Sequence, residues 1–178
     1  LSRLLLIIAF YMDKSQFISV IGTLQESVRR FLIVLTHGDK ELTDDLAQNA
    51  IIKAYLHCGT FDGRAKLQTW IFRIAYNEYL NEQNCYWKRN RDAIDDNDKA
   101  KTMIADDQAD RSFLYEPLYQ AIDQLPKQAK AIVVLYYLEE KNIREIHQIT
   151  QLSETTIAVT LFRARKQLKT ILVNEYKK

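Results

Sequence analysis

Three features of this 178-residue sequence predict an all-α protein built from two small helical domains. It holds only 4 Gly and 2 Pro, so chain-breaking turns are few. Apolar residues recur at three- and four-residue spacing at both ends of the chain, the period of a helix with one buried face. Between these ends, Asp92, Asp95, Asp96, Asp98, Asp106, Asp107 and Asp110 lie among few large apolar residues, opposed by Lys99 and Lys101. Like charge with low hydrophobicity predicts a flexible acidic linker. The chain thus divides into an apolar extension over 1–11, a front domain over 12–91, the linker over 92–111 and a rear domain over 112–178.

The leading residues read LSRLLLIIAFY. The run from Leu4 to Phe10 is too short to span a bilayer. Only Arg3 precedes it and no small-residue cleavage site follows, so export is not expected. The natural start is expected at Met12, with no membrane insertion and a cytoplasmic location. Gln16 to Thr36 reads as a first helix, with Phe17, Ile21, Leu24, Val28 and Leu32 on one face and Gly38 just past its end. Thr43 is the expected N-cap of a second helix from Asp44 to about Leu56, with Asp44 and Asp45 in its first turn. The turn Asp62-Gly63 opens a third helix over Gln68–Asn81, with Leu67, Ile71, Ile74 and Leu80 as its apolar stripe.

In the rear domain Leu114, Leu118, Ala121, Ile122 and Leu125 line a helix over 113–124. Leu125-Pro126 closes it and opens the next, over Gln128–Leu138, because Pro suits a first helical turn. Asn142 with Glu145 forms a capping box for a short helix over Ile143–Ile149. Gln151-Leu152-Ser153 is a turn, and Ser153 caps a last helix carrying Ile157, Leu161, Ala164 and Leu168. Two short-linked helices of this kind make a helix-turn-helix.

The third helix carries the most distinctive chemistry. At about 100° per residue, Arg73, Asn77 and Asn81 fall in one row, with Trp70 just above. A ring, a cation and two amides in a row can stack on a base, hold a phosphate and bond a base edge. On residue type alone, Trp and Tyr at helical spacing more often fill a hydrophobic core than bind a ligand. Beyond it, Lys88, Arg89 and Arg91 interleave with Tyr86 and Trp87, a pattern suited to single-stranded nucleic acid or to a basic helix end. No Ser-His-Asp set or Gly-rich phosphate loop is present, so a non-enzyme without cofactor is predicted. Cys58 and Cys85 stand far apart with no ligand spacing, which predicts free thiols and no metal.

Phe61, Gly63, Thr69-Trp70, Arg73-Ile74-Ala75 and Asn77 together resemble the promoter-melting segment of bacterial sigma factors of the small ECF (extracytoplasmic function) type. The string DDLAQNAIIKAY is similar to the family's polymerase-docking helix, with Asp45, Leu46, Gln48, Lys53, Ala54 and Tyr55 matching. Asn49 stands where an acid is usual. From Leu125 to Leu168 the chain resembles the domain that reads the minus-thirty-five element, matching at Leu125, Pro126, Glu145, Ile146, Ser153, Thr156, Leu161, Arg163, Ala164, Arg165 and Leu168. It departs at His147, where a small residue between crossing helices is usual, and at Gln151, where the turn usually has Gly. It departs again at Ala158, Val159 and Thr160, where basic or hydroxyl residues are usual.

The resemblance implies three surfaces. Asp45, Leu46, Gln48, Asn49 and Ile52 would bind the polymerase core enzyme. Lys66, Trp70, Arg73, Asn77, Asn81, Lys88 and Arg89 would engage the minus-ten element, and Ser153, Thr155, Thr156, Arg163, Arg165 and Lys166 the minus-thirty-five element. Promoter DNA, polymerase core and an anti-sigma factor are the implied partners. A stand-alone helix-turn-helix regulator and a sigma-like adaptor without promoter reading are the alternatives that the residues leave open.

Overall fold

The computed structural model describes residues 12–92 and 116–175, and the side chains of 88–92, 116 and 175 lie outside what it describes. The extension over 1–11, the acidic linker, and Phe113 and Leu114 fall outside these ranges. All regular structure among the described residues is helical.

Helix α1 spans Lys14–Leu35. It starts two residues before the expected Gln16 because Asp13 and Gln16 form a capping box. The Asp13 carboxylate accepts from the Gln16 N–H at 2.9 Å, and the Gln16 side chain accepts from the Asp13 N–H at 3.2 Å. Phe17, Val28, Phe31, Leu32 and Leu35 are buried on its inner face. The helix closes as expected at Gly38, whose positive φ of 85° lets its N–H reach the Ile33 carbonyl at 2.8 Å.

Helix α2 spans Lys40–His57, so the expectation of a Thr43 cap is corrected. Asp39 caps it, accepting from the Leu42 N–H at 3.0 Å. Thr43 is buried inside the first turns, where its hydroxyl bonds back to the Asp39 carbonyl and lies 2.6 Å from the Thr36 hydroxyl. Asp44 and Asp45 therefore do not sit in the first turn, and Asp44 pairs with Arg29 at 2.7 Å. A single 3₁₀ turn, Cys58–Thr60, leads toward α3, Leu67–Asp92.

The face that α3 buries differs from the predicted stripe. Ile71 is buried, Leu67 and Ile74 are half-buried, and Leu80 is exposed. The core is filled instead by Phe72, Ala75, Tyr76 and Tyr79. Phe31 packs on Phe72 with centroids 5.3 Å apart and on Tyr76 at 6.4 Å. Burial, followed by the neighbouring Tyr76, pushes the Tyr79 phenol up to about 12, so the ring stays neutral in the core.

The rear domain comprises α4 (Glu116–Asp123), α5 (Lys127–Val133), a π-helical continuation over Val134–Leu138, α6 (Ile143–Thr150) and α7 (Glu154–Glu175). Pro126 occupies the N-cap of α5 at ψ 143° rather than its first helical position. Ala121, Ile122, Leu125, Ile132, Leu135, Ile146, Ile149, Ile157 and Leu161 form the buried core of this half.

The domains touch along α3 and α6 and through a buried charge. Lys130 is only 1% exposed, its Nζ 2.8 Å from Asp123 Oδ1 and 3.1 Å from Nδ1 of His37 in the front domain. Burial lowers the Lys130 pKa against the opposing bond and charge of Asp123. Burial alone would raise Asp123, but hydrogen bonds from His37 and Lys130 outweigh it and hold the carboxyl below its usual range. Removing one partner leaves the other charge uncompensated. Asp123→Asn should therefore lower unfolding stability in urea by about 3 kcal/mol. Lys130→Met should cost clearly less, because the Asp123 carboxylate left behind is 36% exposed and still lies 3.3 Å from His37. Equal losses in the two variants would contradict this account.

Candidate nucleic-acid interface

Burying Phe72, Ala75, Tyr76 and Tyr79 turns the opposite side of α3 outward. Arg73, Asn77 and Asn81 are all exposed there, one turn apart. Trp70 is half-buried at the upper end of that row, its ring 5.5 Å from Phe61. The 61–66 loop is shaped by Gly63 at φ 70° and by the Asp62 carboxylate, which accepts from the Arg64 N–H at 3.1 Å. Loop and helix together line a cleft of about 350 Å³ with Thr60, Phe61, Asp62, Arg64, Thr69, Trp70 and Arg73.

Two features of this cleft were not read from the sequence. Thr69 borders it, and its buried hydroxyl has no hydrogen-bond partner among the described residues. Gln148 of α6, from the other domain, also lines it. Lys66 is exposed but its Nζ is 2.8 Å from Glu145 Oε1, a pairing between domains with no local sequence signal. Tyr86 and Trp87 are exposed, and the Lys127 amine lies 5.5 Å from the Trp87 ring centroid. The side chains of Lys88 and Arg89 lie outside the described residues.

On α2 the expected docking residues separate into two groups. Asp45, Gln48 and Asn49 are exposed, and so is Ile52 at 48%. Leu46 is buried in the front-domain core. Its neighbours Ala47 and Ala50 are buried with it, on the side of the helix turned inward. Leu56, four residues after Ile52 and 63% exposed, extends the outer face instead. That spacing was the available clue.

The helix-turn-helix is α6 and α7. Asn142 and Glu145 form the expected capping box, with reciprocal bonds of 2.9 and 3.0 Å. Ser153 accepts from the Thr156 N–H at 3.1 Å and opens α7. Ser153, Thr155, Thr156, Arg163, Arg165 and Lys166 are all exposed. Val159 and Phe162, 42% and 65% exposed, form an apolar island among them; Phe162 had not been singled out from sequence. His147 does not crowd the helix crossing. It is exposed, and its Nδ1–H donates to the Leu152 carbonyl at 2.7 Å, tying down the turn.

Gln151 takes the left-handed conformation that the usual Gly would take, at φ 62°. A side chain at such a φ costs about 1–2 kcal/mol. Gln151→Gly should thus raise stability in urea by about 0.5–1 kcal/mol after allowing for the freer unfolded chain. A loss of stability would mean that the bond from the Gln151 amide to the Gln148 carbonyl, 2.8 Å, outweighs the strain.

Comparison with known proteins matches this geometry. The Sigma-70 region 2 family matches residues 21–92, and the Sigma-70, region 4 family matches residues 115–168. Helices α1–α3 and α4–α7 thus define a two-domain transcription-initiation factor. The chain is 30% identical over 156 residues to the ECF RNA polymerase sigma factor SigM of Bacillus subtilis, covering 81% of this chain and 87% of that one. It is 24% identical over 170 residues to SigW of the same organism, covering 88% and 89%. The sigma factor RpoE of Bartonella quintana, solved with the anti-sigma factor NepR, shares the fold with a TM-score of 0.75 at 20% identity, over 88% of this chain and 96% of that one. The chain belongs to the ECF sigma factors of RNA polymerase. Members of this family direct polymerase to promoters and are not themselves catalytic. No described helix is long and apolar enough to cross a membrane, and no group of three or more His, Cys, Asp or Glu among the described residues could hold a metal ion. Cys58 is buried and Cys85 exposed, both as free thiols.

Proposed function

We propose a division of labour among three surfaces of this sigma factor. The exposed face of α2, comprising Asp45, Gln48, Asn49, Ile52 and Leu56, docks on the polymerase core enzyme. The Arg73–Asn77–Asn81 row and the Trp70 cleft capture unpaired bases of the minus-ten element. Ser153, Thr155, Thr156, Arg163, Arg165 and Lys166 hold the duplex at the minus-thirty-five element, with Val159 and Phe162 offering apolar contact to thymine methyl groups. Lys88 and Arg89 continue the front-domain path along the phosphates. The working units are 12–91 and 112–178, joined by 92–111, and the protein acts in the cytoplasm. An anti-sigma factor of the kind bound to the Bartonella quintana relative is the expected regulator.

The observation that carries this reading is the outward row of Arg73, Asn77 and Asn81 beside a cleft holding a partly open indole. Extruding a base costs a few kcal/mol, and stacking returns about 1–3 kcal/mol per base. The cation and the two carboxamides supply phosphate and base-edge bonds that duplex binding alone would not require.

Asn77→Ala should cut open-complex formation about tenfold or more while leaving core-enzyme affinity unchanged. Ile52→Ala with Leu56→Ala should do the reverse, weakening core binding in pull-down titrations before DNA is added. Core affinity falling with Asn77→Ala while melting stays intact would invert the assignment of faces. Failure to make any transcript with core enzyme on a promoter library would favour the adaptor reading.

A further inference from the structure

We infer that the middle of α7 reads the 5-methyl group of a pyrimidine in the major groove, whichever base carries it, with Val159 and Phe162 as the specificity-determining residues. The inference rests on the reading of α7 as the duplex-binding helix given above and narrows it to one chemical feature. Thymine and 5-methylcytosine are taken alike at that position, and uracil and cytosine are disfavoured.

The register of the helix carries it. Ile157, Leu161, Ala164 and Leu168 are buried, which fixes the side of α7 turned to the core. At about 100° per residue the opposite side is centred on Thr155, Val159 and Lys166, with Phe162 on one flank and Arg163 on the other. All five are exposed. In a helix-turn-helix this outer side of the second helix lies in the major groove, with its first turns at the base edges. Val159 stands in the second turn of α7, within reach of those edges.

Over this stretch the helix offers the groove carbon rather than hydrogen bonds. Between Thr156 and Arg163 the exposed side chains are Ala158, Val159 and Phe162, and none has a polar atom. Thr160 is half-buried, set off from the outer face. The Ser153 and Thr156 hydroxyls lie 2.7 Å apart, and Ser153 accepts the Thr156 N–H, so both serve the cap. Side-chain bonds to base edges are left to Glu154 and Thr155 before the stretch and to Arg163 after it. The apolar group that a base presents in the major groove is the C5 methyl of thymine. Covering it removes two carbon surfaces from water, whereas a bare C5–H leaves Val159 and Phe162 poorly packed. 5-Methylcytosine carries the same methyl at the same ring position. It differs from thymine at C4, where this stretch has no side chain able to tell an amine from a carbonyl. The surroundings suit the same occupant: Arg163, Arg165 and Lys166 are exposed beside the island, cations that fit the phosphates flanking a groove.

The test uses the full factor bound to polymerase core. Duplexes randomised over the minus-thirty-five region are selected for retention, and the selected site is rebuilt with single base pairs changed. Selected sites should fix at least one thymine. Replacing that thymine by deoxyuridine should weaken binding about fourfold, the loss of one buried methyl. Putting 5-methylcytosine paired with guanine in its place should hold affinity within about twofold, while unmethylated cytosine should lose as much as deoxyuridine. Val159→Ala with Phe162→Ala should bind all four duplexes alike, and Arg163→Ala should weaken all four together. Equal binding of the thymine and deoxyuridine sites, with Arg163→Ala still weakening both, overturns the methyl reading and leaves the duplex-binding role of α7 standing. A 5-methylcytosine site no better than the cytosine site does the same, because it places the discrimination at C4. A methyl preference that survives in Val159→Ala with Phe162→Ala overturns the assignment to those residues, and selected sites without a fixed thymine overturn it outright. Indifference of every duplex to Arg163→Ala combined with Arg165→Ala overturns the role of α7 and the methyl reading together.

Discussion

The packing of Phe31 against Phe72 and Tyr76 decides which way the long helix α3 faces, and most of the functional geometry follows from it. Once Phe72, Ala75, Tyr76 and Tyr79 are inside, the helical period leaves Arg73, Asn77 and Asn81 no place but the surface. The same core holds Leu46 and Ala50 of α2, which turns Asp45, Gln48, Asn49 and Ile52 outward. One apolar cluster thus orients both of the faces proposed for binding, and neither face needs strong interactions of its own to stay in place. Lys53 of α2 adds a bond of 2.7 Å to Glu78 of α3, fixing the register between the two helices.

The contact between domains has a different character. It includes many charges and amides: Lys66 with Glu145, Lys141 with Gln68, Arg30 with Glu139, and the buried Lys130 with Asp123 and His37, with Lys141 over the Phe72 ring and Lys127 over the Trp87 ring. Burial, the largest influence on Glu139, raises its pKa despite Arg30, which marks this seam as electrostatically costly. A factor that must span two promoter elements needs domains that can part, and a polar junction is suited to that.

Residues whose chemistry acts locally were legible in the sequence. Asn142 with Glu145, Ser153 with Thr156, and Gly38 after α1 behave as their types dictate, because capping depends on neighbours three or four residues away. The row on α3 was legible from periodicity. Leu80 was misplaced because it lies nine residues from Ile71, which at about 100° per residue puts it on the opposite side of the helix. Thr43 was misread because Asp39 and Thr43 are both good caps and only tertiary packing chooses: Thr43 meets Thr36 in the interior. The pairs across the domain seam were not legible at all. Lys130 and His37 lie 93 residues apart, and no periodicity or local motif encodes such a meeting.

The central claim is that the outward face of α3 meets unpaired DNA. A photo-crosslinking residue placed at Asn77 in the full-length factor, irradiated in an open complex with core enzyme, tests it most directly. The account predicts crosslinks to bases of the single-stranded minus-ten region on one strand, and none to duplex upstream. Crosslinks confined to the polymerase subunits, with the melted strand untouched, would contradict it.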